Sequence, residues 1–369
     1  MLMRLTISVC LVLLLTSNVF ARADSIWKQK PSIELMGLVD LFYSFDFNRP
    51  TTDYCQTFFY NYNRHNQPNL NFGVIKLSVQ HPKYRANVAL HAGTYVIDNY
   101  ALEPKVLKHV FEANAGFSLT KTNNLWVDAG ILPSHIGFES AIATDNQTLT
   151  RSLLAENSPY YLTGAKLTFY PSKKWEVAAL ICNGWQHIQN VKGNSLPSFG
   201  TQLKFIPRQN IVFNWSTFVG TDDPDSIRRI RFFNNLYSQF QLTQKLQLMT
   251  GFDIGIQQKS KGSLHFNYWL SPVVILRYDF TSQVAAAFRA EYYQDMDGTI
   301  IALKTNTAFK TAGLSLNMDY KPMSIMLFRI EGRWLINETP IFENRKGLSR
   351  NDFFLTVSMC LKINRYLMK

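Results

Sequence analysis

The sequence predicts an all-β fold, a transmembrane up-and-down antiparallel β-barrel of about sixteen strands. Three observations predict it. Apolar and polar residues alternate with period two over long segments, the signature of a strand with two unlike faces. The links between these segments are mostly short and long by turns, as when one rim of a barrel carries tight turns and the other carries loops. Beyond the leader, no run approaches the ~18 apolar residues a transmembrane helix needs. Mean hydropathy is close to neutral, −0.10, which fits a barrel because its lipid-facing and lumen-facing residues average out.

The elements follow in chain order. Residues 1–23 read as a secretory signal peptide: Arg4 gives a positive start, Leu5 to Leu15 an apolar stretch, and Ala21-Arg22-Ala23 a small-x-small cleavage site. Val9 before Cys10 argues against lipid attachment. Residues 24–369 then read as one barrel domain. The first strand sets Ile33, Leu35, Val39, Leu41, Tyr43, Phe45 and Phe47 against Glu34, Asp40, Ser44, Asp46 and Asn48. Further strands are expected near 70–80, 84–95, 108–120, 124–132, 160–170, 174–183, 198–206, 211–219, 229–242, 245–258, 266–280, 283–294 and 306–320. The segment 325–337 opposes Met326, Phe328, Ile330, Trp334 and Ile336 to Leu327, Arg329, Glu331, Arg333 and Asn337, and the last strand places Phe353, Leu355, Val357, Met359, Leu361 and Ile363 on one face. Short links fall at 81–83, 121–123, 171–173, 207–210, 281–282 and 321–323. Long ones fall at 48–69, 96–107, 133–159, 184–197, 220–228, 295–305 and 338–352. The link 259–262 is short where a long one is expected.

Strand length and charge placement separate this barrel from a soluble sandwich. A strand of about 11 residues at ~3.3 Å each, tilted by ~45°, covers the roughly 25 Å of the lipid-facing band. An Arg or Lys facing lipid at mid-depth costs ~2–4 kcal/mol, and the apolar faces of the clearest strands carry none. Aromatic residues make up 14% of the chain, enough for two interfacial girdles. Phe169, Tyr170, Trp175, Tyr278, Phe280 and Tyr320 are expected beside short turns, and Tyr43, Phe45, Phe47, Tyr161, Tyr292 and Trp334 toward the long loops.

Formal net charge is +12, and it falls by two when Arg4 and Arg22 leave with the leader. The basic residues form no dense patch, so nucleic acid is not an expected partner. The charge fits anionic lipopolysaccharide or solutes better. Lumen-face charges nearly balance, with Arg85, Lys166, Lys204, Arg277, Arg289, Arg329 and Arg333 against Glu34, Asp40, Glu112, Asp128, Asp253, Glu291 and Glu331. Cys55, Cys182 and Cys360 remain after the leader, scattered and odd in number; they offer no zinc spacing, and which pair would join is open.

The loop 133–159 is the candidate functional element. Residues 145–157 read as a short helix capped by Asp145 or Asn146, with Leu149 and Leu153 on one face and Asn157 and Pro159 at its end. Folded into the lumen, the loop would narrow it and present Glu139, Asp145, Arg151 and Glu156. Arg289, Glu291, Arg329, Glu331 and Arg333 are the pore-lining candidates on the wall. The competing reading is that these charges only tie loop to wall.

Catalytic and metal motifs are scarce. There is no HExxH, GxSxG or P-loop. His135 beside Glu139 is the best acid–base candidate, with a structural histidine as the commoner explanation. Asp295-Met296-Asp297-Gly298 and Asp222-Asp223-Pro224-Asp225 lack a full calcium ligand set. No metal or other cofactor is expected.

The stretch from about 90 to 190 resembles the OmpL-like family of outer-membrane β-barrel porins. The resemblance rests on His91-Ala92-Gly93-Thr94-Tyr95, Asn99-Tyr100-Ala101 with Glu103-Pro104, Leu125-Trp126-Val127-Asp128-Ala129-Gly130, and Ser134-His135-Ile136-Gly137-Phe138-Glu139-Ser140-Ala141-Ile142. It continues in Thr148-Leu149-Thr150-Arg151-Ser152, Ala155-Glu156-Asn157-Ser158-Pro159-Tyr160-Tyr161 and Asn183-Gly184-Trp185-Gln186. It implies a porin-like barrel in the outer membrane of a Gram-negative-type bacterium and brings no catalytic residues. The C-terminus departs from many such barrels, since Tyr366 is followed by Leu367-Met368-Lys369.

The leading expectation is therefore passive diffusion of small hydrophilic solutes through a water-filled barrel. The alternatives are a plugged barrel serving surface binding or structure and, last, a barrel hydrolase. Expected partners are outer-membrane lipids, lipopolysaccharide and small hydrophilic solutes, with homo-oligomerisation open.

Overall fold

The computed structural model describes Trp27, residues 29–303, Thr305 and residues 307–369; the expected leader over 1–23 lies outside the described residues. In chain order the strands are β1 Ser32–Asp46, β2 Asn69–Gln80, β3 Tyr84–Ala92, β4 Val110–Ser118, β5 Leu125–Pro133 and β6 Tyr161–Ser172. They continue with β7 Trp175–Cys182, β8 Ser198–Arg208, β9 Ile211–Gly220, β10 Arg231–Gln241, β11 Leu246–Gln258 and β12 Phe266–Asp279. The last are β13 Val284–Asp295, β14 Phe309–Met323, β15 Met326–Asn337, β16 Phe342–Asn344, β17 Gly347–Ser349 and β18 Asn351–Met368. Among the described residues, sixteen of these close into one antiparallel barrel: each long strand pairs with its neighbours in sequence, β15 pairs with β18, and β18 closes on β1. The two short strands form a separate hairpin in the last long loop.

Every long strand expected from periodicity is present, and the differences lie at ends. The strand expected over 84–95 stops at Ala92. Gly93 has φ +129°, and a Cβ there would lie 2.3 Å from the Asn71 carbonyl oxygen, so the chain turns away into α1 (Thr94–Asn99). A 3-10 turn, Leu107–His109, delays β4. The final strand runs past its expected end to Met368, with Tyr366 opposite Glu34. That places the terminal aromatic inside the strand.

The barrel is apolar outside and polar within. Along β14, Leu314, Leu316 and Met318 are 44%, 60% and 50% exposed, whereas Ser315, Asn317 and Asp319 are 3%, 0% and 4% exposed. In water such a face would forfeit roughly 1.5–3 kcal/mol per large side chain; against acyl chains it is at home. Closure leaves no strand edge, so wall backbone groups pair within the protein. Exposed Phe169, Trp175, Tyr278, Phe280 and Tyr320 ring the short-turn end, and exposed Phe47, Phe199, Tyr268, Trp334 and Phe353 ring the other. Tyr161 departs from the expected girdle. It faces inward, stacked on Tyr100 at 4.2 Å and donating to Glu103, because a buried phenol needs an acceptor that lipid cannot supply.

Candidate functional site

The interior is where the sequence placed function, and several loops enter it, among them 134–160 and 47–68. The loop after β5 leaves the wall at Ser134 and crosses the lumen. On the far side its backbone is held by inward side chains of β13, β14 and β15. Leu149 N–H donates to Asn317 Oδ1 at 3.0 Å, Thr150 N–H to Glu331 Oε2 at 2.6 Å and Leu153 N–H to Glu291 Oε2 at 2.6 Å. Loop carbonyls are claimed by guanidiniums. Arg289 reaches the Thr150 oxygen at 2.7 Å, Arg333 the Arg151 oxygen at 2.9 Å, and Arg329 the Ala143, Asn146 and Thr148 oxygens at 2.8–3.0 Å. Arg151 turns back on its own loop, donating to Leu149, Ser140 and Ala141 carbonyls.

These bonds explain why the helix expected over 145–157 does not form. The backbone groups that a helix would pair with each other are taken by the wall. What remains is a 3-10 turn at Ala143–Asp145 and one helical turn, α2 (Leu153–Glu156), capped by Ser152, whose hydroxyl accepts from Ala155 N–H, rather than by Asp145 or Asn146.

Of the nine sequence-named residues, Arg289, Glu291, Arg329, Glu331 and Arg333 form the wall side of this contact, while the side chains of Glu139, Arg151 and Glu156 bond to loop groups. Arg289 pairs with Glu331 at 2.8 Å and Glu291 at 3.2 Å, and Arg333 with Glu291 at 2.6 Å, all with side chains 0–1% exposed. Arg329 pairs with Asp319 at 2.8 Å. Glu139 accepts from the Ser152 amide and hydroxyl. Glu156 accepts from Tyr60 N–H at 2.7 Å and Asn61 Nδ2 at 3.1 Å. Burial pushes the Glu156 carboxyl up to about 7, against these hydrogen bonds and the pull of Arg151 and Arg333. Asp145 stands apart, 43% exposed and paired with Lys362 at 3.0 Å. It lines a cavity of about 1020 Å³ at the short-turn end, with Gln147, Lys245, Arg277, Asp319 and Arg329.

The second loop, 47–68, was not assigned to the lumen from sequence. Tyr62 donates to Asp40 at 2.6 Å, and Phe58 and Phe59 pack among inward Phe218, Phe233, Trp269, Tyr293, Phe309, Leu335 and Phe354. The outer half of the interior is therefore packed with rings around a few buried polar pairs, such as Gln56 with Asp352, while the short-turn half holds the polar cavity. A sequence signal for this existed. In Phe232-Phe233, Tyr292-Tyr293 and Phe353-Phe354, adjacent rings at the long-loop ends of strands must face opposite ways, so one of each pair points inward.

The other candidates resolve into structural roles. His135 and Glu139 are not brought together: His135 Nε2 lies 2.8 Å from the Thr217 carbonyl, and burial lowers the imidazole to about 4. Asp295 accepts three amides, from Thr299, Ile300 and Ile301. Asp222, Asp223 and Asp225 pair with Arg231, Arg229 and Arg228. Cys55, Cys182 and Cys360 are free and buried.

Solved structures that resemble this chain include outer-membrane channels. An anion-selective porin from Comamonas acidovorans superposes with TM-score 0.59 at 8% identity, covering 90% of this chain and 100% of that one. The outer membrane channel DcaP of Acinetobacter baumannii gives 0.60 at 11%, covering 93% and 99%. OmpF of Salmonella typhi gives 0.58 at 9%, covering 90% and 97%. At such identities the likeness is one of fold. No sequence among the curated proteins matches. The family described as "Putative beta-barrel porin-2, OmpL-like" matches residues 32–363, nearly the whole barrel. The chain belongs to that family of porins, and its place is the outer membrane of the Gram-negative envelope.

Proposed function

We propose that the barrel passes small hydrophilic solutes by diffusion and that the two in-folded loops set the passage, with the 134–160 loop as its movable constriction. The observation that carries this reading is the asymmetry of the interior. The short-turn half is a polar cavity of about 1020 Å³, whereas the loop above it is latched by wall charges rather than covalently fixed. In this arrangement Arg289, Glu291, Arg329, Glu331 and Arg333 hold the constriction from behind, and Asp145 meets solutes in the vestibule. Mixed charges of both signs favour polar solutes with little ion preference.

The test is single-channel recording in planar bilayers. Discrete conductance steps are expected, enlarged when residues 141–150 are replaced by a short Gly-Ser link. A folded barrel silent in both forms would refute diffusion. A second reading, a plugged barrel used for surface binding or structure, draws on the apolar packing around Phe58 and Phe59. It predicts silence in the wild type and conductance only after the loop is shortened. For the hydrolase reading, His135 has no carboxylate partner among the described residues, its Nε2 lying on the Thr217 carbonyl.

A further inference from the structure

The charge surplus has an address. The seven tight connections at the short-turn rim are 81–83, 119–124, 173–174, 209–210, 242–245, 280–283 and 324–325, and they contain five lysines and no Asp or Glu. Lys121, Lys173 and Lys174 are exposed there with Arg208 at an adjoining strand end, whereas Lys245 and Lys321 line the mouth of the lumenal cavity. The β1/β18 seam adds exposed Lys30, Arg365 and Lys369 on the same rim. Of the nearest acids, Glu176 and Asp279 pair inside the barrel with Lys204 and Arg277, and Glu34 lies in the seam opposite Tyr366. The opposite rim is mixed: its Asp222, Asp223 and Asp225 neutralise Arg231, Arg229 and Arg228.

We propose that this rim is a docking ring for anionic phospholipid headgroups of the periplasmic leaflet. Depth selects lipid over other anions. The cations sit one to four residues from exposed, lipid-facing rings: Lys121 lies beyond Phe117, Lys173 and Lys174 lie between Phe169 and Trp175, and Lys369 follows Tyr366. Interfacial aromatics mark headgroup level, and a lysine stem from that level carries its ammonium to the phosphates. With no carboxylate among them, the cations have nothing in the turns to neutralise them, so the ring is complementary to a surface of negative charge. The inference goes beyond solute diffusion and stands whether or not the barrel conducts.

Native mass spectrometry of the delipidated barrel in neutral detergent tests it. Phosphatidylglycerol, phosphatidylethanolamine of the same chains, and inorganic phosphate are the probes. Several-fold greater retention of phosphatidylglycerol over phosphatidylethanolamine is expected. The combined variant Lys121→Glu, Lys173→Glu, Lys174→Glu, Arg208→Glu should erase that preference, and Gln at the same positions should reduce it if the glutamates prevent folding. Lys192→Glu with Lys346→Glu, on the other rim, should leave it intact. Equal retention of the two lipids overturns the proposal, as does a preference that survives all four substitutions or is lost equally in the opposite-rim variant. Displacement of bound phosphatidylglycerol by millimolar inorganic phosphate would reassign the ring to soluble anions.

Discussion

Glu156 is the residue where the two lumenal loops meet, and its environment fixes a sign. Its carboxyl titrates near 7 when docked but near 4.3 when free in water. Docking therefore takes up a proton between those values. The contribution is fully present below about pH 4.3 and is lost as pH rises through about 7. Conductance is expected to rise between pH 6 and 8, with the docked-to-undocked ratio changing by at most about tenfold per pH unit. Glu156→Gln should flatten that profile; an unchanged profile in the variant would remove Glu156 from the latch. Arg289 makes a sharper case. It joins Glu291 and Glu331 at the wall to Thr150 of the loop. Removing one member of a buried ion pair costs on the order of 3–5 kcal/mol, because a charge is left without its partner. In Arg289→Ala the loop should leave its seat, exposing the peptide bond after Arg151 to trypsin. Resistance equal to wild type would show that the ion pairs do not hold it.

At the scale of elements, strands and loops differ in how far a sequence can be read. Each wall strand was legible because its pattern is local: Leu314, Leu316 and Met318 must alternate with Ser315, Asn317 and Asp319 whatever the rest of the chain does. The loop's conformation was not legible, because its partners lie far away in sequence. Thr150 is set by Glu331 and Arg289, and no window around residue 150 contains either. The latch charges on β13 and β15 were named from sequence, whereas Asn317 and Asp319 of β14 were not singled out, and the mutual pairing required the closed barrel. Loop 47–68 was missed because the partners of Phe58 and Phe59, Phe309 and Phe354, lie about 250–300 residues away in sequence. Its packing yields a prediction of its own. Phe58→Ala with Phe59→Ala opens space among Phe218, Trp269 and Phe309, and the buried-ring losses, about 3–5 kcal/mol each, should free the outer plug and raise conductance. An unaltered conductance would mean that this loop does not limit passage.

For the whole molecule, what counts is that one continuous sheet separates lipid from a filled interior. Such a barrel should keep its fold in SDS at room temperature and shift its electrophoretic mobility only after boiling, recovered from the outer-membrane fraction with detergent. Recovery of the folded protein in the periplasm without detergent would contradict the inside-out faces on which the assignment rests. Solute diffusion and lipid docking then divide the molecule by depth, with the vestibule serving one and the basic rim the other.

The seam between β1 and β18 joins segments more than three hundred residues apart in sequence. Bringing such distant ends together is the costliest loop closure in the topology, and until it happens the growing sheet presents two unpaired margins to its surroundings. Assembly is thus all or nothing with respect to the last segment. A chain cut before Asn351 would retain fifteen of its staves and still be unable to form the hoop, and it should accumulate as aggregate or be degraded rather than insert as a smaller vessel.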